Sequence, residues 1–221
     1  NRPLFTYFKQ LFAQVTNPPL DYIREELVTS LETRVGSQPN LLEEGPAHAR
    51  QLVIDSPVLT DAATAAIADG ETGFAVETID TTFGLSESMA EAIERVRAEA
   101  VAAIEAGAEI IVLSDRRLAA ERIAIPSLLA TGAVHHHLVR CGLRNHAGMV
   151  IRSGEPREVH HLATLIGYGA DAVNPYLAYQ SIADITAGPD GAEPEEAIAA
   201  YIGALEDGLL KTMSKMGIST V

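Results

Sequence analysis

Short, strongly apolar runs alternate with longer amphipathic stretches along the chain from residue 51 onward. The apolar runs are QLVIDSPVL (51–59), GFAVETIDTTF (73–83), AEIIVLSD (108–115), AGMVIRSG (147–154) and DAVNP (171–175). Their length and their β-branched residues predict strands. The third and fourth runs are apolar almost throughout, which is typical of strands that are covered on both faces.

The stretches between these runs have the spacing of amphipathic helices. The clearest helix spans 86–106, where Ser86 or Ser88 can cap the start and Gly107 can end it. Further helices are predicted from Pro126 to Gly142, from Pro156 to Ile166, from Tyr176 to Ala187 and, after a loop, over 194–217.

This alternation predicts an α/β fold of parallel βα repeats with right-handed crossovers. The pattern fits part of a barrel as well as a doubly wound sheet, and it does not choose between them. Helical spacing over 3–15 and over about 22–33, the latter capped by Asp21, predicts an N-terminal helical arm ahead of the repeats. We therefore divide the chain into an arm (1–50), a βα-repeat domain (51–190) and a final helix with a linker (191–221).

The balance of charges limits the partners of the chain. It carries 30 acidic and 16 basic residues, a formal net charge of −14, and 47% of its residues are hydrophobic. Proteins that bind nucleic acid neutralise phosphates with Lys and Arg, so no nucleic-acid partner is expected. Acidic residues interrupt the basic runs and no apolar run reaches the roughly 20 residues of a membrane span, so no membrane partner is expected either.

The single cysteine, Cys141, excludes an internal disulfide and a Cys-ligated iron–sulfur cluster within this chain. It fits a reducing compartment, and the beginning of the chain lacks the apolar region of a signal peptide, so we expect a cytoplasmic location. The chain has no initiator Met, and its last residues, ISTV, read like the start of another element. We therefore expect it to be part of a longer polypeptide.

Polar residues follow the predicted strands at their carboxyl ends, where functional groups gather in α/β sheets. We call this set the strand-end rim: Asp115, Arg116, Arg152, Glu155, His160, Asn174 and Tyr176. In a structural interpretation, Asp115 and Glu155 cap the helices that follow them. Arg152 then holds the Glu155 carboxylate, and His160 adds a hydrogen bond from the helix face.

The histidines and glycines that suggest a metal or nucleotide site have plainer explanations. His135–His137 are consecutive on a predicted helix, so their side chains point about 100° apart and cannot share one ion. The pair at 160–161 has the same geometry. Gly167 and Gly169 lie before a predicted strand, whereas a dinucleotide fingerprint follows one. We therefore predict no metal site and no nucleotide loop.

Four stretches resemble, in this order, the central domain of the large subunit of glutamate synthase. They are YFKQLFAQVTNPPLDYIREELVTSLET (7–33), IPSLLATGAVHHHLVRCGLR (125–144), RSGEPREVHHLATLIGYGADAVNPYLA (152–178) and GLLKTMSKMGIST (208–220). They span nearly the whole chain, and the first and third are long and specific. The last resembles the threshold of the FMN-binding domain, so the resemblance implies that 191–221 leads into that domain.

The resemblance implies a large subunit that converts glutamine and 2-oxoglutarate into two glutamates. A glutaminase domain releases ammonia, which passes through a tunnel to an FMN-bearing barrel, and the central domain joins the two and helps line the path. FMN and an iron–sulfur cluster belong to the full subunit, and none is expected to be bound by this fragment. The implied partners are the glutaminase and FMN domains of the same chain and a small NADPH-oxidising subunit.

No catalytic residue of the family falls within this fragment. The glutaminase nucleophile of the family is an N-terminal cysteine, whereas residue 1 is Asn1, and the cluster needs three cysteines. We therefore expect the fragment to be inactive alone. In the turn QVTNPP, Thr16, Asn17 and Pro18 are candidates for lining the ammonia path, because the prolines fix a backbone without donors beside small polar groups. The alternative is a plain linker between helices.

Two other functions compete with the connecting domain. One is an independent βα-barrel lyase or aldolase-like enzyme that uses Asp115, Arg152 and Glu155 on the rim. The other is a pure interaction module whose charge serves solubility. A complete eight-stranded barrel takes about 250 residues, and this chain shows only five or six predicted strands, which favours the connecting domain.

Overall fold

The computed structural model describes residues 2–9, 20–21, 23–187 and 193–221, and a four-stranded parallel sheet lies at its centre. The strands are β1 (Thr33–Val35), β2 (Leu52–Ile54), β3 (Val76–Asp80), β4 (Thr82–Gly84), β5 (Ile110–Ser114), β6 (Arg122–Ala124), β7 (Gly148–Arg152) and β8 (Ala172–Asn174). The α-helices are α1 (Glu25–Val28), α2 (Asp61–Ala68), α3 (Met89–Glu105), α4 (Ser127–Cys141), α5 (Val159–Gly167), α6 (Tyr176–Thr186) and α7 (Pro194–Met216).

The parallel sheet has the strand order β3–β5–β7–β8, which is also the order along the chain. Each crossover therefore moves one position in the same direction. A doubly wound sheet reverses its order at a switch point, and this sheet does not. The prediction of an α/β fold with a parallel sheet is confirmed, and the strand order favours the barrel-like alternative over the doubly wound one.

The two faces of the sheet carry two separate hydrophobic clusters. Ile111 and Leu113 of β5 point into the larger cluster, which α3, α4, α5 and α7 cover. Ile110 and Val112 alternate with them and point into the smaller cluster, beside residues of β1, β2 and α2. All five residues of β5 are buried, which confirms the prediction of a strand that is covered on both faces.

The prediction for the long helix is confirmed at its start. α3 begins after Ser88, whose hydroxyl accepts a hydrogen bond from the Glu91 amide, while the Glu91 carboxylate accepts from the Ser88 amide. This capping box satisfies two amides that the helix leaves unpaired. Gly107, just past the end, has a φ of 99°, a value that favours glycine.

The N-terminal arm is less helical than its spacing predicts. Within 3–15, the described part contains one 3-10 turn at Leu4–Tyr7, and residues 10–19 lie outside the described residues. Within the described residues of 22–33, which begin at 23, only α1 is helical. Asp21 accepts hydrogen bonds from the amides of Ile23 and Arg24, but α1 begins only at Glu25, after Arg24, and lasts one turn. The prediction that Asp21 caps this helix is therefore wrong.

A strand replaces the rest of that predicted helix, because the alternation of apolar and polar residues takes over. Leu31, Thr33 and Val35 are buried, and the charged residues between them are exposed. This period of two is the pattern of a half-buried strand. β1 pairs antiparallel with β2, so the first part of the run at 51–59 belongs to this two-stranded sheet. Further along the run, Val58 forms a parallel bridge to Val173 of β8, at the edge of the parallel sheet.

Two further predictions were wrong in detail. The helix predicted from Pro156 begins at Val159, and the run at 73–83 is divided into β3 and β4. β4 pairs antiparallel with β6, a short strand in a stretch where no strand was predicted. Among the described residues, none of the helices has both the length and the apolar character that a membrane span requires.

Candidate functional site

A row of polar residues lies across the carboxyl ends of the parallel strands and includes two residues of the strand-end rim, Arg152 and Asn174. Asp80, Ser114, Arg152 and Asn174 are opposite one another in register, so they form one row across the sheet. Residues at paired positions of neighbouring strands point to the same face. The row therefore places polar side chains above the apolar layer of the smaller cluster.

Asp115 accepts more hydrogen bonds than Glu155, the other acid of the rim. Only 4% of the Asp115 surface is exposed. The Ser153 hydroxyl donates to its Oδ2 at 2.5 Å, and the Gly154 amide donates to both carboxylate oxygens at 3.1 and 3.2 Å. Burial raises the pKa of Asp115 above its ordinary value, while the hydrogen bonds from Ser153 and Tyr176 oppose that shift. Asp115 was predicted to cap the following helix, and this is wrong: it ties β5 to the loop after β7.

Glu155 caps a helix, but not the helix that was predicted. Its Oε2 accepts from the Ser127 amide at 2.8 Å and from the Ser127 hydroxyl at 2.7 Å, at the start of α4. The residue before α4 is Pro126, which has no side-chain acceptor. A carboxylate from the neighbouring loop therefore supplies the cap. α5 instead follows Glu158, whose side chain makes no capping bond.

The predicted bridge from Arg152 and His160 to Glu155 does not form. Within the described part of the chain, the Arg152 side chain has no hydrogen-bond partner, and its Nε is buried. His160 Nε2 lies 3.1 Å from the carbonyl oxygen of Phe5. His160 therefore joins the beginning of the chain to α5. Within the described part of the chain its side chain makes no hydrogen bond to another rim residue.

Tyr176 lies between the acid and a cation of the rim. The Arg116 guanidinium lies over its ring, 4.4 Å from the centroid. Burial raises the pKa of Tyr176, and the nearby Asp115 carboxylate adds to the shift.

Asn174 joins the rim to the segment before α2. Its Nδ2 donates to the carbonyl oxygen of Leu59 at 3.0 Å and to Oδ1 of Asp61 at 2.9 Å. The Tyr179 hydroxyl donates to the same Leu59 carbonyl. Nothing in the sequence around 59–61 pointed to this contact, because its partners lie more than a hundred residues apart.

Sequence reasoning also missed a charged cluster beside the rim. Arg122 on β6 contacts Asp80 at 2.6 Å, and Arg95 on α3 donates to the carbonyl oxygens of Asp80 and Thr82. The cluster depends on the pairing of β4 with β6, which the pattern did not predict. The alternating AERIAI (120–125) that contains β6 is too short to indicate a strand with any specificity.

The rim encloses a pocket of about 320 Å³ that is lined in part by Asp115, Leu118, Glu155 and Leu177. Both acids already accept two or more hydrogen bonds from the protein. These bonds engage both oxygens of Asp115 and the Oε2 atom of Glu155. The geometry fits a brace between strands and helices better than it fits an acid–base catalyst.

The histidines contact different groups. His135 Nδ1 accepts from Arg144 at 3.1 Å, whereas His161 stacks on Phe5 with 4.3 Å between ring centroids. Within the described ranges, no group of three or more His, Cys, Asp or Glu is arranged to hold a metal ion. The tunnel candidates Thr16, Asn17 and Pro18 lie outside the described residues.

Comparison with known proteins defines the class. Over residues 1–221 the chain matches the glutamate synthase central domain family. The chain belongs to this family.

Curated relatives match over almost the whole chain. It is 46% identical to glutamate synthase [NADH] of Schizosaccharomyces pombe over 100% of its length, and 44% identical to the glutamate synthase [NADPH] large chain of Bacillus subtilis over 99%. It is 41% identical to the ferredoxin-dependent glutamate synthase of Pyropia yezoensis over 98%. The chain spans only 11%, 14% and 15% of these three relatives.

Proposed function

We propose that this chain is the connecting domain of a glutamate synthase large subunit, which converts glutamine and 2-oxoglutarate into two glutamates by reductive amidotransfer. The observation that carries the proposal is the family match over residues 1–221, combined with a share of only 11–15% of the relatives' length. A segment of this share is one part of a larger catalyst. Its role is therefore to be sought in how it joins the other parts.

In this proposal each segment has its own task. The arm (1–50) and the βα-repeat body (51–190) lie between the glutaminase and FMN domains and help line the ammonia path. The final helix and linker (191–221) lead into the FMN domain. Thr16, Asn17 and Pro18 are the proposed lining residues of the path.

The rim supports a structural role over a catalytic one. Asp115 and Glu155 accept hydrogen bonds that join β5, α4 and the loop after β7. An independent lyase or aldolase-like enzyme would use these acids on a substrate. Their hydrogen bonds to the start of α4 and to the loop after β7 favour the structural role.

The cofactors and partners follow from the same proposal. FMN and the iron–sulfur cluster belong to other parts of the subunit, since Cys141 alone cannot ligate a cluster. The relatives named for NADH, NADPH and ferredoxin are 46%, 44% and 41% identical to this chain. We propose a small NADPH-oxidising subunit as a further partner. We propose a cytoplasmic location.

Assays of the full-length subunit and of the isolated chain test the proposal together. The full-length protein should form two glutamates for each glutamine consumed, given a reduced donor and 2-oxoglutarate. The isolated chain should bind no FMN and hydrolyse no glutamine. A yellow isolated chain with stoichiometric flavin absorbance, or a full-length protein that forms no glutamate from these substrates, would refute it.

A further inference from the structure

Several grooves open at the amino-terminal end of the parallel sheet, away from the rim, and two of them are larger than the rim pocket. Three grooves there have volumes of about 940, 540 and 300 Å³. The segments that precede β5, β7 and β8 line them, at 107–109, 144–146 and 169–171. This end of the sheet therefore offers more concave surface than the rim.

A turn beside the first groove presents two leucines to solvent. We call residues 40–44 the leucine turn. Leu41 is 89% exposed and Leu42 is 92% exposed, more than any other large apolar residue of the described chain. Leu41 also lines the first groove. Two adjacent leucines in water form an apolar surface that a partner can bury at a gain in free energy.

Hydrogen bonds hold this turn in one shape. The Asn40 side chain accepts from the Leu42 amide at 3.1 Å and donates to the Glu43 carboxylate at 3.1 Å. His48 Nε2 lies 2.6 Å from the Glu43 carbonyl oxygen, and the Gln38 amide donates to the Asn145 carbonyl at 2.7 Å. The leucines are therefore presented on a fixed turn, so little conformational entropy is lost when a partner covers them.

The course of the chain indicates which partner covers the turn. Thr220 and Val221 line the second groove, which shares Gln38 and Arg144 with the first. The Ser30 amide donates to the Ser219 carbonyl and holds this last stretch in place. Any residue that follows Val221 therefore emerges at the same end of the sheet as the leucine turn.

The beginning of the chain lies elsewhere. Phe5 is fully buried and contacts His160 and His161 in the first turn of α5, which follows the carboxyl end of β7. The described beginning of the chain therefore lies on the helical layer, away from the leucine turn.

We propose that the leucine turn, with the first and second grooves, is the docking surface for the domain that follows Val221 in the full-length polypeptide. The proposal rests on the proposed function, under which the chain is one part of a longer subunit. The occupant presents an apolar pocket that receives Leu41 and Leu42. Its segment next to Val221 covers the second groove.

Hydrogen–deuterium exchange of the full-length subunit tests this docking surface. The double variant Leu41→Asp, Leu42→Asp changes two exposed side chains, so this domain keeps its own fold. We expect exchange to become at least about tenfold faster in the leucine turn and in peptides beyond Val221, because undocking exposes both. Leu85→Asp is the control, since Leu85 is 68% exposed and follows β4 near the rim. It should leave those peptides unchanged.

Three results would overturn the proposal. They are unchanged exchange beyond Val221 in the double variant, faster exchange confined to the part ahead of residue 1, and a particle mass that the double variant halves, which would identify a second copy as the occupant. Exchange reports docking without any assay of activity. A full-length protein that makes no glutamate would therefore count against the proposed function. The exchange experiment could still be interpreted in that case.

Discussion

Glu155 shows how one carboxylate can replace a missing cap. In Glu155→Gln the side-chain amide oxygen can still accept from the Ser127 amide and hydroxyl, so this variant should lose only the charge–dipole part, about 0.3–1 kcal/mol. Glu155→Leu removes the acceptor and should lower the free energy of unfolding by about 1–2 kcal/mol. Urea unfolding of the two variants beside the wild type measures the difference. Equal losses in both variants would contradict the cap.

Two histidines make the fold sensitive to acid. Burial lowers the pKa of His135, with help from Arg144, and burial also lowers the pKa of His161. Above the unfolded value of about 6.5 both rings are neutral in either state. As the pH falls below that value, the unfolded chain takes up protons that the folded chain resists, so stability decreases.

The lowered pKa values of these two histidines predict a measurable pH dependence of stability. The urea midpoint of the wild type should decrease between pH 7.5 and pH 5.5, and His135→Asn and His161→Asn should each make that decrease smaller. His146→Asn, at an exposed position, is the matched control and should behave like the wild type. A wild-type midpoint that rises on acidification would show that the sign is wrong.

At the scale of elements, α7 contains a matched pair of glycines. A Cβ on Gly208 would lie 2.3 Å from Cγ2 of Val159 on α5, whereas a Cβ on Gly203 meets nothing within 4 Å. Gly208→Ala should therefore destabilise the fold by about 1–3 kcal/mol. Gly203→Ala should stabilise it by about 0.5–1 kcal/mol, because alanine is the better helix former. Thermal unfolding of both variants checks the opposite signs, and a shift of the same sign in both would contradict this packing.

The strands and helices also differ in how far the sequence predicts them. β5, β7 and α3 follow directly from apolar runs and helical spacing, because local burial decides them. The β4–β6 pair and the contact of Asn174 with Leu59 join residues far apart in sequence, and no local pattern specifies such pairs. The cap from Glu155 to α4 belongs to the same class. Arg152 and Asn174 do lie side by side at the strand ends, whereas the side-chain partners of the rim residues follow from no local pattern.

At the scale of the whole molecule, the ammonia path is the function most open to test. Under the proposed function, Thr16→Val or Asn17→Leu in the full-length enzyme should uncouple glutamine hydrolysis from glutamate formation, because a wet passage loses its polar lining. The measurement is the ratio of glutamate formed to glutamine consumed, with saturating ammonia as the control substrate. Full coupling in both variants would mean that the QVTNPP turn is a linker.

The central claim is that this domain connects the other domains of the subunit. Its rim carboxylates hold strands and helices together and take no part in the reaction. Turnover of the full-length enzyme carrying Glu155→Gln, measured with saturating ammonia in place of glutamine, tests it most directly. The account predicts a rate within about twofold of the wild type, since the variant keeps the cap on α4. A loss of about 100-fold or more, with the fold intact by circular dichroism, would contradict it and make Glu155 a participant in the reaction.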